Sequence, residues 1–570
     1  MRHLLPAIGL LLLVQTAGAQ SAAHLCGNLL GAERFAPAIE ALKAERRAGI
    51  APARKGMSPP DIGDRQSFRV YLWSSNSWAN REFELRDKTD LYYAWVEVAN
   101  LGQMQDSELA AIREAMVVRT PTGSISTTQG VMANAHDVFG TPPDVDGDGI
   151  VDFLFYDIDN ANVGGFVHPS DLTADQPGNG RDVLHLDVLQ SVSFMPRLIA
   201  HEYVHLIHFN YEFDPETFIS EGVAEYGMVV NGYTSDTFGY LALPTEHKRG
   251  LFSWRDINED GVGRDYDRGR LFFSYIADQL DPSLPGEVVR NERKGAAGVD
   301  SVVTRAGRPL AAVIADFHTA NLVDDPAVDE RFGYTRSFSA PLVVTPDFRI
   351  ETTTAETTPE ASPEDRISVE GGAVHYIHFD ELANLTLDFD AYAPPVVVAI
   401  QPGILDDIRT RLRGRVVATR EDGSLEWHDV PPSRQSFRLT GNFIDVTLIV
   451  TSVSPIKEAR YALDASWGAF GSASTSAESG QELPGGFSVR SVYPNPATGS
   501  ASVTLETGQA TPVRVYLVDA LGREVREVHR SLLAAGEHVF RIDTNGLPSG
   551  AYLLVAEGTT RHAKPITVLR

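Results

Sequence analysis

The stretch His201-Glu202-Tyr203-Val204-His205 sets two imidazoles four residues apart, with a carboxylate directly after the first. On a helix this spacing brings both rings to one face, where they can hold one metal ion, and turns Glu202 toward the same ion as a general base. A pair of ordinary core histidines is the alternative. A helix over about 195–209 is predicted because Ser193 suits an N-cap and Pro196 a first turn, with Leu198, Ile199, Tyr203, Leu206 and Ile207 supplying apolar surface. Downstream, Glu221-Gly222-Val223-Ala224-Glu225 opens a second helical pattern with carboxylates one turn apart. A catalytic zinc takes three protein ligands and keeps one position open, so Glu221 completes a set of two imidazoles and one carboxylate. Glu225 is then placed to accept the free N–H of a liganding ring. Solvated helix charges are the bland reading of both.

These residues resemble the gluzincin metallopeptidases, in which the glutamate of a second helix is the third ligand. The resemblance implies His201, His205 and Glu221 as zinc ligands, Glu202 as the base that activates water, and Glu225 as the group that orients a ligand. The longer three-histidine zincin pattern fails, because His208 and Tyr211 stand where glycine and histidine are needed. The loop over 206–220 is shorter than in the best-known gluzincins. His208 reads as a neighbour of the ligands and not as a fourth one. A further segment, Asp265-Tyr266-Asp267-Arg268-Gly269, is similar to one in gluzincin aminopeptidases whose tyrosine hydrogen-bonds the tetrahedral oxyanion, which implies that role for Tyr266. An endopeptidase is expected, since the chain shows no Gly-x-Met-Glu-Asn segment to grip a free amine.

Upstream, Asp144, Asp146, Asp148, the Ile150 carbonyl and Asp152 alternate around Gly149 in the manner of a calcium loop over 144–152. Phe155 stands where a helix-loop-helix site needs glutamate, so the loop is expected to lead into a strand and to serve structure. An acidic turn without an ion is the alternative. Asp256 to Gly261 echoes the pattern more weakly. Calcium loop and zinc helix in this order look like the hyicolysin-type gluzincins.

Arg2, the apolar run Leu4 to Val14 and Ala17-Gly18-Ala19 read as a secretory signal over 1–19, and no other stretch is apolar for long enough to span a bilayer. With 49 basic against 76 acidic side chains the net charge is -27, which argues against nucleic-acid partners and anionic lipid. Cys26 is the single cysteine and permits no intrachain disulfide. It reads as an inert thiol, with a zinc-blocking role in a latent precursor as the other option.

The expected fold class is α+β: a zincin-type two-lobed metallopeptidase domain, a β-sandwich and a small C-terminal β-sandwich. The boundaries follow composition: a prosegment or linker over 20–62, the catalytic domain over 63–335 with zinc at the junction of a sheet-bearing and a helical lobe, a strand-rich accessory sandwich over 340–468, and a Ser/Gly/Glu linker over 469–488. Over 489–570, Tyr493-Pro494-Asn495-Pro496 is followed by alternating strands between Gly and Pro turns. This segment resembles the C-terminal sorting domain of the type IX secretion system, which implies the type IX machinery as a partner and a secreted or cell-surface destination. The combined expectation is a secreted zinc metalloendopeptidase acting on protein or peptide substrates with Zn2+ and Ca2+. A catalytically idle zincin-fold binding or adhesion protein is the alternative.

Overall fold

A computed structural model of the chain describes residues 25–568 apart from 50–58, 175–176, 234–238, 257–258, 336–341, 351–367, 394, 402, 434, 471–486, 494–496, 508, 520–522 and 559–560. The signal segment 1–19, Pro494, Asn495 and most of the linker 469–488 lie outside the described residues. The fold mixes helices and sheets in two compact units. One comprises Met1–Ser235, Arg255–Val262 and Pro282–Gly295, and the other Asp236–Trp254, Gly263–Asp281 and Ala296–Arg570.

The first unit is built on a seven-stranded sheet. Its strands are β1 (Leu25–Cys26), β2 (Arg65–Leu72), β3 (Ser77–Lys88), β4 (Tyr92–Glu97), β5 (Val151–Tyr156), β6 (Val163–Phe166) and β7 (Val183–Asp187), arranged β1-β6-β7-β5-β4-β3-β2. β4, β5 and β7 run parallel, while β6 is antiparallel to β7 and β1 is parallel to β6. The three parallel strands are buried along their whole length, as expected of a sheet covered on both faces. The sequence runs Phe68–Trp73, Tyr92–Val96 and Phe153–Tyr156 all fall on strands of this sheet or run one residue past them.

Helices α1 (Gly27–Arg47), α2 (Asp106–Arg113), α3 (Val131–Phe139), α4 (Met195–Tyr211) and α5 (Thr217–Val230) belong to the same unit. α4 packs on β6 and β7, and Gly165 of β6 lets it come close. A Cβ added at Gly165 would lie 3.0 Å from the Glu202 Cγ, and one at Gly164 would lie 3.4 Å from Leu198. α5 crosses α4 through Gly227, where an added Cβ would meet the Val204 Cγ2 at 2.5 Å and the Ala200 carbonyl oxygen at 3.3 Å. This close crossing sets the second helix against the first. The start of α4 departs from expectation: Phe194, not Ser193, precedes the first helical residue, and it makes no side-chain cap. The Phe194 N–H already donates to the Ser191 carbonyl, so a turn leads into the helix and a capping side chain is dispensable.

In the second unit, helices Val262–Gln279 and Leu310–Val323 are followed by β structure. A twelve-stranded sheet includes Leu382–Ala391, Leu412–Arg420, Phe437–Ser452 and Ala459–Gly468 from the middle of the chain, and Thr511–Val518, Gly550–Glu557 and Arg561–Val568 from its end. A three-stranded sheet of Phe487–Tyr493, Ser500–Thr507 and Gly536–Asp543 supplies the opposite layer of the C-terminal sandwich. Ser500–Thr507 alternates inward and outward residues, and Val503 and Leu505 meet Val515, Leu554 and Ile566 in one core. The expected separation of accessory and C-terminal sandwiches is bridged: Ala465, Ser466 and Trp467 pair antiparallel with Ala563, His562 and Arg561.

Two predictions follow from the packing of the first unit. Gly227→Val overfills the helix crossing and should cost about 1–3 kcal/mol, read as a lower denaturation midpoint together with weaker metal binding at the α4–α5 face. Burial pulls His168 down from 6.5 to about 3. A histidine with a depressed folded pKa stabilises the fold above its unfolded value, and that contribution is lost as the pH falls from 6.5 toward 3. Denaturant titrations across that window should show the loss, and His168→Gln should flatten it; an unchanged slope in the variant would remove His168 as its source.

Candidate metal centre

α4 delivers His201, Glu202 and His205, and α5 delivers Ser220, Glu221 and Glu225. The two helices bring these side chains into one buried cluster. The His201 and His205 Nε2 atoms lie 3.1 Å apart, and the Glu221 Oε2 lies 3.4 Å from the first and 3.6 Å from the second. Ligand atoms about 2.0–2.1 Å from a tetrahedral zinc are separated along the tetrahedron's edges by about 3.3 Å. The observed spacings match that figure, so the residues fit the ion. The donor atoms also fit it chemically: Glu221 Oε2 and Glu202 Oε1 are buried and without a hydrogen-bond partner among the described residues. Leaving such oxygens without a partner is costly unless a cation takes them up.

The far side of each ring is held. His201 Nδ1 lies 3.4 Å from Glu225 Oε1, and His205 Nδ1 lies 3.1 Å from Ser220 Oγ. Both arrangements leave Nε2 to face the cluster. Glu225 thus lies on the Nδ1 side of the His201 ring, away from Glu221. Ser220 is the residue that sequence reasoning passed over; its only signal is that it directly precedes Glu221.

The buried carboxylates and imidazoles shift one another strongly. Burial pulls His201 down, but Glu221, Glu225 and Glu202 outweigh it and raise the imidazole to about 10. Burial pushes Glu221 up, yet His205 and His201 draw it down to about 2. Burial also raises Glu202, against the pull of both histidines, which keeps its carboxyl closer to proton exchange than an exposed glutamate. His208 is buried in the same helix and burial lowers it to about 3, so it is a neutral neighbour of His205.

Cys26 enters the same cluster. Its sulfur lies 3.3 Å from His205 Nε2 and 3.6 Å from Glu202 Oε2, and the ligating atoms of Cys26, His201, His205 and Glu221 all lie within 4.8 Å of one another. The thiol, read from sequence as inert with a zinc-blocking role as the other option, thus lies in the cluster. Burial, then Glu202 and Glu221, push it well above the ordinary thiol range.

Tyr266 is on the helix Val262–Gln279 of the second unit, buried with its ring edge-on to Trp254 at 5.0 Å. In the acidic loop, Asp144, Asp146 and Asp148 come together with their oxygens within 4.8 Å. Asp144 and Asp148 also accept the backbone N–H groups of Gly149 and Ile150. Asp152 faces elsewhere: one oxygen lies 2.9 Å from the Arg181 guanidinium and the other accepts the Trp95 indole N–H. Arg181 lies 3.0 Å from Asp146 as well, so a cation in this loop would share its carboxylates with a fixed positive charge.

Residues 491–568 match the secretion system C-terminal sorting domain. The chain is thus marked for export by the type IX route, to the cell surface or the medium, and no helix among the described residues is long and apolar enough to cross a membrane. No curated relative matches the sequence. Among solved structures the chain is similar to an aminopeptidase A of Legionella pneumophila in complex with aspartic acid, at 7% identity and a TM-score of 0.26, over 84% of this chain. The chain spans 36% of that protein's length, and at this TM-score the likeness carries no argument.

Zinc, if this cluster holds it, would bind at one ion per chain. Glu221→Ala should abolish that stoichiometry, and Ser220→Ala should weaken zinc affinity about tenfold by freeing the His205 ring. Competition against a chromophoric chelator measures both. A Ser220→Ala affinity equal to wild type would remove the hydroxyl from the site.

Proposed function

We infer that the chain is a secreted zinc-dependent endopeptidase of gluzincin type, in which His201, His205 and Glu221 hold the ion and Glu202 is the general base. The observation that carries this reading is the meeting of two imidazole nitrogens and an unpartnered carboxylate oxygen at tetrahedral spacing in a buried pocket. Zinc bound there supplies Lewis acidity to a water molecule and to a peptide carbonyl.

The chain's own groups supply the rest. Glu202 takes a proton from the attacking water and passes it to the departing amine, a shuttle that its raised pKa favours. Glu225 and Ser220 fix the rings of His201 and His205 through their Nδ1 atoms. Tyr266 takes the oxyanion role on the strength of the sequence segment it belongs to. Calcium in the loop 144–152 is a second, structural part of the proposal, supported by the convergence of Asp144, Asp146 and Asp148.

Glu202→Gln should keep its zinc and lose casein cleavage by at least about a hundredfold, as expected on removal of a general base. Tyr266→Phe should keep zinc and lower kcat by about a hundredfold if its hydroxyl meets the oxyanion. Zinc binding without cleavage by the wild type, once any latency is relieved, would favour an exported binding protein. Added calcium should raise the denaturation midpoint; no change would leave Arg181 as the loop's counter-charge.

A further inference from the structure

Cys26 is the one donor in the cluster that the peptidase reading does not use. A sulfur and a nitrogen bound to the same tetrahedral zinc lie about 3.5 Å apart, given bonds of about 2.3 and 2.0–2.1 Å. The sulfur is 3.3 Å from His205 Nε2. Among the described residues, Glu202 Oε1 is buried with no hydrogen-bond partner, and Glu221 Oε2 has only the His201 and His205 rings near it; both oxygens mark the cluster as a cation site independently of the thiol.

The position of Cys26 is built by its surroundings. The backbone of Leu25–Cys26 adds to β6 in parallel, Leu25 opposite Val163 and Cys26 opposite Gly165. Gly27 follows where no side chain fits: an added Cβ would lie 2.7 Å from the Phe166 Cβ and 3.0 Å from both Trp73 and Val163. Asn28 Oδ1 accepts the Val167 N–H at 2.9 Å, and Arg34 donates to the Trp73 carbonyl at 2.8 Å. Phe35 anchors α1 among the rings of Tyr71, Trp73, Phe166 and His168. These contacts hold the sulfur at the cluster while the segment covers the outer edge of β6. That edge is the backbone surface an extended peptide would pair with.

We propose that Cys26 is the fourth zinc ligand and that the segment Leu25–Arg47 keeps the enzyme latent. Sulfur fills the coordination position that water needs, and β1 takes the sheet edge that substrate needs. The proposal rests on the zinc peptidase reading above. Activation then breaks the zinc–sulfur bond, lets water into the vacated position and returns a proton from solvent to the sulfur, with no oxidant or reductant consumed.

Because the chain has 1 cysteine, thiol measurements report on this residue alone. X-ray absorption at the zinc edge of the full-length, zinc-loaded chain should show one sulfur at about 2.3 Å. Cys26→Ser should keep zinc and lose that sulfur. Ellman's reagent should react with the zinc-loaded chain at least about tenfold more slowly than with the chelator-stripped chain, and Cys26→Ala should raise casein turnover at least about tenfold by freeing the position for water. Bound zinc with only nitrogen and oxygen neighbours overturns the latency proposal and leaves the zinc site standing. A chain that binds no zinc overturns both. Should the cysteine variants misfold, the wild-type absorption spectrum still decides the question.

Discussion

The first unit depends on gathering ionisable groups in a place that water does not reach. Glu202, Glu221 and Glu225 are buried beside two histidines, and a carboxylate removed from water is destabilising by several kcal/mol unless it is paired. Protons can meet part of that demand, as the raised His201 and lowered Glu221 indicate. A divalent ion meets it more fully, because it attracts both carboxylate and imidazole and requires no donor hydrogen. The fold therefore stores an electrostatic demand in its core, and packing keeps it there.

That packing is carried by small residues. Gly165 lowers α4 onto β6, and Gly227 lets α5 close against Ala200 and Val204, one turn from the ligands. A larger side chain at Gly227 would press α5 away from α4, and one at Gly165 would press α4 off the sheet. The glycines are placed where tertiary contact outweighs the helical or extended preference of their own segments.

Much of the site was legible because it is local. His201, Glu202 and His205 lie within two helical turns, and Glu221 and Glu225 lie one turn apart, so periodicity alone put each set on one face. The sandwich strands were legible for the same reason, through their alternation. What escaped, or stood as one of two readings as the Cys26 thiol did, depends on contact between distant parts of the chain. Cys26 is 179 positions from His205, and Arg181 claims Asp152 from another strand's end. Composition has no means of registering either. Ser220 was passed over because the value of its hydroxyl depends on where α5 begins and how it crosses α4. Tyr266 was legible only through its sequence segment, and it belongs to the other compact unit.

The ladder between Ala459–Gly468 and Arg561–Val568 would outlast a cut in the segment that joins the two sandwiches. Three residue pairs and the ion pair of Lys564 with Asp464 tie the final strand to the preceding layer. Cutting the polypeptide between them severs one covalent tie but leaves these hydrogen bonds to be broken separately. Once they break, the backbone of Ala465 to Trp467 stands bare as an open sheet margin. Such a margin is an adhesive surface. A chain cut there and freed of its final strand would present this margin to any extended backbone nearby.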